Sequence, residues 1–231
     1  MRRFALLASA LALSIGCAPS NPALVIDGVL APTDDCIFDG TSLVFSLSPT
    51  LDTRAYTPAL RPAGIRYLAA LRVTSRLIPL FNDRYPLRAE PNVLTLQYAD
   101  VEILQVDGTA FDFGGLPNPY RISTAATIPP GTSSAGASGV AGLEIIPPLY
   151  GLSLTEVPGR ILVSVRITGT TSGGATITSG EYLFPMDLCP GCLVACDPEL
   201  TTSTAVCLFG QDRTAIIGPN ADPDDGCIAA P

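Results

Sequence analysis

The sequence contains no histidine, no tryptophan and no lysine, and its thirteen basic residues are all arginine. Without histidine, a serine–histidine triad, a cysteine–histidine nucleophile pair and a histidine-ligated zinc centre are excluded. Without lysine, a Schiff-base mechanism is excluded as well. The glycine-rich phosphate-binding motifs and the G-x-S-x-G nucleophile motif are also absent. We therefore expect a chain that is not an enzyme and needs no cofactor, although a pair of carboxylates could still act in a glycosidase.

The N-terminus has the pattern of an export signal. Two arginines at positions 2 and 3 precede an apolar run over residues 4–15. A run of this length is shorter than the about 20 residues that span a bilayer. This pattern predicts a signal peptide, and an ordinary secretory signal cleaved near Gly16 or Ala18 is one form that it can take.

The end of the apolar run favours a second form. It reads Ser14-Ile15-Gly16-Cys17 and resembles the lipobox of bacterial lipoproteins. In that family the signal is removed before the cysteine, which then carries two or three acyl chains, enough for firm anchoring. The resemblance implies a signal peptide over residues 1–16 and lipidation of Cys17. Because Ala18, rather than aspartate, follows the cysteine, it also implies retention at the outer membrane.

The charge of the chain bears on its partners. Removal of residues 1–16 takes away two arginines and leaves 11 basic against 21 acidic residues, a balance of −10. A domain of this charge is a poor partner for nucleic acid or an anionic lipid surface. We expect contact with the membrane only through the N-terminal lipid, and a protein partner in the envelope.

Alternating apolar residues predict β-strands. Residues 67–77 place their apolar side chains on one face and two arginines and a threonine on the other, as in a half-buried strand. Residues 93–106 alternate but change phase, which predicts a β-bulge near Ala99 and Asp100. Residues 160–184 predict a hairpin with its turn at 172–174, and residues 129–142 predict a loop of small residues.

These strands, with twenty-one glycines and twenty-two prolines between them, predict an all-β fold. We expect an antiparallel β-sandwich of the immunoglobulin-like type with a disulfide-stapled C-terminal segment. The predicted regions are the signal peptide over 1–16, a lipidated tether over 17–32 that leads into the first strand, the sandwich over 33–188, and a cysteine-rich segment over 189–231 packed on it.

Six cysteines remain once Cys17 is assigned to the lipid, and five of them lie in the last 43 residues: Cys36, Cys189, Cys192, Cys196, Cys207 and Cys227. An even number in an exported chain predicts three disulfides. We expect Cys36 to bond into the cluster at 189–207, and Cys227 to bond back to it. The bonds would hold a tail that has few large apolar residues.

Two other chemistries suit the same cysteines. Cys189 and Cys192, with Cys196 and Cys207, have the spacing of a four-cysteine zinc or iron–sulfur site, although exported thiols tend to oxidise. The CPGC stretch also resembles the C-P-x-C sites of glutaredoxin-like proteins, although here it follows a β-hairpin rather than opening a helix. A thiol-redox or metal protein is therefore an alternative function.

Two further groups of residues are candidate sites. Three carboxylates lie close together near the C-terminus, at Asp222, Asp224 and Asp225, and they are a weak calcium candidate because the spacing of an EF-hand loop is not met. Four aromatic residues could line the cleft of a glycan- or peptide-binding protein, the second alternative function: Phe111, Phe113, Tyr120 and Tyr150. Core packing is the simpler role for these aromatics.

The order of motifs along the chain carries a second resemblance. PTDDC near the start, alternating strands, CPGCL, FGQD and a final cysteine are similar to uncharacterised bacterial outer-membrane lipoproteins that occur in several copies in large, GC-rich genomes. The resemblance implies an exported, lipid-anchored domain and no particular activity. The leading hypothesis is a non-catalytic interaction or structural module of the cell envelope.

Overall fold

The computed structural model describes residues 22–33, 35–54, 64–79, 92–131, 136–155, 157, 159–196 and 210–217. The strands of this part of the chain are β1 (Leu24–Val29), β2 (Thr50–Asp52), β3 (Tyr67–Ser75), β4 (Leu94–Leu104), β5 (Tyr120–Ile128), β6 (Ala137–Ile146), β7 (Gly159–Thr171), β8 (Thr176–Thr178), β9 (Tyr182–Cys189), β10 (Val194–Cys196) and β11 (Ala215–Ile217). One short helix, α1 (Pro148–Leu152), lies between β6 and β7. The predicted all-β fold is confirmed.

The strands form two main sheets. A three-stranded antiparallel sheet has the order β1-β3-β6, and a larger sheet has the order β2-β9-β7-β4-β5 with β8 beside β7. In the larger sheet β2 pairs in parallel with β9, whereas the other pairs are antiparallel. A separate parallel pair joins β10 to β11. An antiparallel pair can be joined by a short turn, but a parallel pair requires a long connection.

The two sheets bury their apolar faces in one core. Leu71 and Val73 of β3 belong to the same buried cluster as Val101 of β4 and Val163 of β7. This is the layered arrangement of a β-sandwich, in which each sheet buries one face against the other. The immunoglobulin-like topology stays a prediction.

The sequence patterns identify several strands correctly. β3 buries alternate residues as predicted, and the hairpin of β7 with β8 and β9 turns at residues 172–174. The phase change in β4 is a bulge between Leu96 and Tyr98 in both of its pairings. It lies two residues before the predicted position, so that Ala99 shares the buried face with Val101 and Ile103.

Two predicted boundaries are wrong. Residues 24–29, assigned to the tether, form β1, whose Leu24 is fully buried beside β3. The folded domain therefore begins before residue 33. The predicted loop over 129–142 contains the first half of β6, which pairs with β3 through small residues such as Gly139 and Ala141. Small side chains there give no alternation of large apolar residues for the sequence to display.

Within the described ranges, no helical segment has the length and the apolar character that a membrane crossing requires.

Candidate functional site

The CPGC stretch forms a tight loop at the end of the larger sheet. β9 ends at Cys189, and the chain turns through Gly191 at φ +83°, a backbone angle that favours glycine. Cys189 and Cys192 are joined by a disulfide with a Cα–Cα distance of 5.7 Å. Cys192 is exposed and Cys189 is half-buried. The loop is therefore closed by its own two cysteines.

The Cys189–Cys192 bond reduces the number of possible partners for the other cysteines. Cys36 is also disulfide-bonded, but Cys189 and Cys192 are not its partners because they are bonded to each other. The side chains of Cys196, Cys207 and Cys227 lie outside the described residues. A bond from Cys36 to Cys196 or Cys207, and a bond from Cys227 back to the cluster, stay predictions.

A buried carboxylate fixes the loop to the sheet. Asp52, at the end of β2, is fully buried and lies opposite Cys189 in the parallel pairing of β2 with β9. Its Oδ1 accepts hydrogen bonds from the backbone N–H groups of Gly191 (2.7 Å) and Arg54 (3.0 Å), and its Oδ2 accepts one from Leu193 (2.9 Å). Hydrogen bonds to a charged group contribute about 1.5–3 kcal/mol each. Asp52 therefore organises the whole turn.

The same carboxylate lies next to both sulfurs. A carboxylate oxygen of Asp52 and the Sγ atoms of Cys189 and Cys192 all lie within 4.8 Å of one another. Three such ligand atoms suit a thiophilic metal ion only when both cysteines are thiolates. In the disulfide the two sulfurs share a bond, so the predicted four-cysteine metal site is not assembled in this form of the protein. The cluster is instead a disulfide with a buried charge beside it.

A second carboxylate connects the two sheets. Asp212 accepts hydrogen bonds from the Thr50 N–H (2.8 Å) in the larger sheet and from the Tyr67 hydroxyl (2.7 Å) in the smaller one. The Gln211 side chain is bonded to both the N–H and the carbonyl of Leu68, each at 3.2 Å. Residues 210–213, which we call the bridge segment, thus hold β2 against β3.

Burial raises the pKa values of Asp212, in the bridge segment, and of Tyr67, which is hydrogen-bonded to it. Loss of hydration raises the pKa of Asp212, and the hydrogen bonds from Thr50 and Tyr67 offset part of that rise. Burial, and then the nearby Asp212 charge, raises the pKa of Tyr67 well above its usual value. The tyrosine therefore stays a neutral donor to the carboxylate at every moderate pH.

The four candidate aromatic residues do not line a cleft. Phe113, Tyr120 and Tyr150 are buried in the core, and Phe111 packs against it. The Tyr120 hydroxyl donates to the carbonyl of Ile145, and the Tyr150 hydroxyl donates to that of Pro117 at 2.8 Å. Their polar atoms are satisfied within the protein, so the aromatic cleft inferred from the sequence is wrong and core packing is confirmed.

Charged pairs cover the outer face of the larger sheet. Arg160 donates to Asp187 at 2.7 Å, and Arg121 donates to Asp100 at 2.8 Å. A shallow cavity of about 110 Å³ lies among them, lined by Asp100, Val101, Glu102, Pro119, Ser164 and Arg166. It is smaller than the about 300–1,000 Å³ that small-molecule pockets usually have.

A row of apolar side chains is exposed beside β1. Ile37, Leu43, Val44 and Leu47, which we call the apolar strip, are between 59% and 89% exposed. The segment that carries them is held to β1 by hydrogen bonds from Ala31 N–H to the Val44 carbonyl and from Ser46 N–H to the Val29 carbonyl. The strip is therefore a fixed feature of the surface.

Several predicted site residues lie outside the described part of the chain: Cys17, Asp222, Asp224 and Asp225. Lipidation of Cys17 and the weak calcium candidate both stay predictions. In contrast, sequence reasoning missed Asp52 and the bridge segment. Their roles depend on contacts between residues about 140 positions apart, and no local pattern identifies them.

The comparisons with known proteins add no relatives. No family model, no curated protein and no solved structure matches this chain.

Proposed function

We propose that this chain is a lipid-anchored envelope protein, attached to the outer membrane through an acylated Cys17, whose folded domain is a non-catalytic interaction module. The observation that carries the proposal is the apolar strip. Four large apolar side chains are exposed on one segment of eleven residues, 37–47. Isolated exposed apolar residues are normal on protein surfaces, but four large ones within eleven positions favour a contact site.

The strip has the properties of a preformed contact surface. Phe45 lies between its members and packs on Gly28, where an added Cβ would come within 2.6 Å of the ring. Asp39 closes a turn by accepting hydrogen bonds from the N–H and the hydroxyl of Thr41, each at 2.8 Å. Because the backbone is already ordered, little conformational entropy is lost when a partner binds. Covering the strip then removes apolar surface from water, which favours binding.

Charge defines the kind of partner. Asp35 and Asp39 are exposed beside the strip, and the hydrogen bonds from Thr41 hold the pKa of Asp39 below its usual value, so it stays ionised. We propose a protein that presents apolar side chains rimmed by arginine or lysine. The acidic balance disfavours nucleic acid. Attachment of both proteins to the envelope would raise their effective concentration and favour even a weak contact.

Binding of a glycan or a peptide in a pocket is the alternative. The cavity at Asp100 and Glu102 is small, and the aromatic side chains expected to form a cleft lie in the core or pack against it. The exposed strip therefore supports the interaction module better than it supports a small-ligand binder.

Site-specific crosslinking in intact cells tests the contact surface. A photo-crosslinking amino acid at Leu43 or Leu47 should capture one discrete envelope protein. Leu149 is the matched control, because it is 65% exposed but lies on α1, away from the strip. Equal capture from all three positions would show that the strip has no special role.

The captured protein, once purified, permits a quantitative test. The double variant Leu43→Ser, Leu47→Ser should weaken its binding at least tenfold, whereas Leu149→Ser should leave binding unchanged. Retention of full affinity by the double variant would refute the assignment of the strip as the contact surface.

The lipid anchor is tested separately. Intact mass of the protein from its native membrane should show loss of residues 1–16 and added acyl mass, and Cys17→Ser should release the domain from the membrane fraction. A mass that corresponds to simple cleavage, with no acyl addition, would replace the anchor with an ordinary secretory signal.

A further inference from the structure

The Cys189–Cys192 disulfide has an unusual neighbour. Asp52 has no exposed surface, yet one of its carboxylate oxygens lies within 4.8 Å of both sulfurs. The N–H groups of Gly191 and Leu193, which belong to the loop itself, hold the carboxylate in place. The negative charge and the two sulfurs therefore keep a fixed relative position for as long as the loop is folded.

Two charged residues face the loop: Asp52, at the end of β2, and Arg54, two positions after it. The Arg54 side chain lies over Gly191, with its Nη1 atom 3.5 Å from where a Cβ would be, but Arg54 is exposed. Water and salt screen an exposed charge strongly, whereas a buried charge at less than 5 Å acts through a medium of low dielectric constant. The carboxylate therefore has the larger effect on the sulfurs.

The neighbouring elements bring further charges, which are already engaged. Asp187 of β9 forms an ion pair with Arg160 at 2.7 Å. In the bridge segment Asp212 is hydrogen-bonded to Tyr67, and Arg213 donates to the carbonyl of Pro32 at 3.2 Å. These groups do not belong to the cluster of ligand atoms around the sulfurs. Within that cluster Asp52 supplies the carboxylate, and the two cysteines are joined in the disulfide.

We propose that Asp52 is an electrostatic guard of the Cys189–Cys192 disulfide, which keeps it from exchanging with thiols. In exchange, an attacking thiolate forms a bond to Sγ of Cys192, the more exposed sulfur, and the bond between the two cysteines breaks. Its electron pair leaves on Sγ of Cys189, so the attacking thiol is oxidised to a mixed disulfide and Cys189 is reduced to a thiolate.

Asp52 destabilises the thiolate that leaves in this exchange. The new thiolate forms beside the buried carboxylate, and two negative charges at this distance repel each other. Exchange is slower when the leaving thiolate is less stable. If the attacking thiolate instead bonds to Sγ of Cys189, the leaving thiolate forms on Cys192. It is repelled in the same way, because both sulfurs lie within 4.8 Å of the Asp52 carboxylate oxygen.

Protection of this disulfide matters because other cysteines follow it in the sequence. Cys196 follows four residues after Cys192, and Cys207 and Cys227 follow further along the chain. During oxidative folding, a thiolate on any of them could attack the loop disulfide and scramble the pairing. A disulfide that resists attack preserves the native pairing while the remaining cysteines are oxidised.

The variant Asp52→Asn tests the guard, because it removes the charge and keeps the size of the side chain. The folded protein is treated with dithiothreitol at pH 7, the reaction is stopped by alkylation at intervals, and modification of Cys189 and Cys192 is followed by peptide mass spectrometry. Reduction of this disulfide should be about tenfold faster in the variant. Equal rates would overturn the proposal.

A purely structural role of Asp52 would also speed reduction by loosening the loop, so two further measurements separate the cases. Asp212→Asn is the matched control, since it removes a half-buried carboxylate that is bonded to Thr50 of the same strand, and it should leave the rate unchanged. An equal acceleration in this control would refute the guard.

The second measurement compares the wild-type protein with Asp52→Asn. After reduction, the alkylation rate of Cys189 and Cys192 is measured against pH. Its midpoint should lie above the about 8.5 of a free cysteine and should move down in Asp52→Asn. A wild-type midpoint at or below the free value would show that the carboxylate does not guard the disulfide.

Discussion

The variant Tyr67→Phe tests the hydrogen bond through which the bridge segment joins the two sheets. Tyr67 is 1% exposed, and its hydroxyl donates to Asp212 at 2.7 Å. Phenylalanine keeps the ring and its packing, so the change removes the hydrogen bond alone. Hydrogen bonds to charged groups contribute about 1.5–3 kcal/mol. We expect the free energy of unfolding to fall by about 2 kcal/mol at pH 7, which for a chain of this size corresponds to a Tm lower by about 4–8 °C.

The loss should depend on pH. Burial raises the pKa of Asp212, and the Tyr67 hydrogen bond is one of the contacts that offset the rise. A carboxyl group whose pKa is raised in the folded state stabilises the protein below its unfolded pKa, and this contribution is lost as the pH rises through the folded pKa. Tyr67→Phe raises the folded pKa further. Its cost should therefore be larger at pH 7 than at about pH 3.5, where the protonated Asp212 no longer needs a donor.

Urea unfolding of four proteins at both pH values measures the effect: wild type, Tyr67→Phe, Asp212→Asn and the double variant. Tyr120→Phe is the matched control, since its hydroxyl donates to a neutral carbonyl and its loss should not vary with pH. Equal destabilisation by Tyr67→Phe at the two pH values, or an undiminished loss in the Asp212→Asn background, would refute the reasoning.

Two other substitutions are informative. Gly151→Ala should lower the free energy of unfolding by more than about 2 kcal/mol in urea titrations, because its Cβ would lie 2.0 Å from the Ile65 carbonyl oxygen. Gly142→Ala is the control, because its Cβ enters open space, and it should change the free energy of unfolding by less than about 0.5 kcal/mol. A similar loss in both variants would contradict the predicted clash at Gly151. Arg160 holds the pKa of Asp187 below its usual range, so Arg160→Gln should raise that pKa in an NMR titration. The pair stabilises the fold above the unfolded pKa of Asp187 and loses this effect as the pH falls through the folded value. Since both side chains are more than a third exposed, the cost at pH 7 should stay below about 1 kcal/mol and vanish in strong acid.

Local alternation made part of the fold predictable. β3 from Leu71 to Thr74 and β7 from Val163 to Thr168 alternate buried apolar residues with polar ones, which is the pattern of a strand with one buried face. The bulge in β4 was also detectable, because an extra residue shifts the alternation. The alternation pattern counts Tyr98 as apolar together with Leu94 and Leu96, which places the predicted bulge two residues too late. In the structure Tyr98 is only half-buried.

The errors arise where composition hides the pattern. β1 lies in a stretch of prolines and small residues that resembles a tether, yet Leu24, Ile26 and Val29 are buried. β6 begins with alanine, serine and glycine, which are too small to show which face is buried. In both cases it is β3, the partner strand, that determines the structure, and partner strands are not visible in a local window.

The CPGC loop could be recognised from the sequence, but its environment could not. The cysteine spacing indicates a disulfide or a metal site. The choice of Asp52 as its neighbour results from the parallel pairing of β2 with β9, two strands that are separated by more than 130 positions. A single aspartate in a three-residue strand carries no sign of such a contact.

The early start of β1 restricts where the domain can work. If Cys17 carries the lipid, seven peptide steps separate the anchor from Leu24, the first residue of the sheet. A fully extended chain covers about 3.5 Å per residue, so the domain can rise no more than about 25 Å from its lipid. A partner must then approach within a few nanometres of the bilayer, so its own height above the membrane becomes a condition of recognition alongside its surface chemistry.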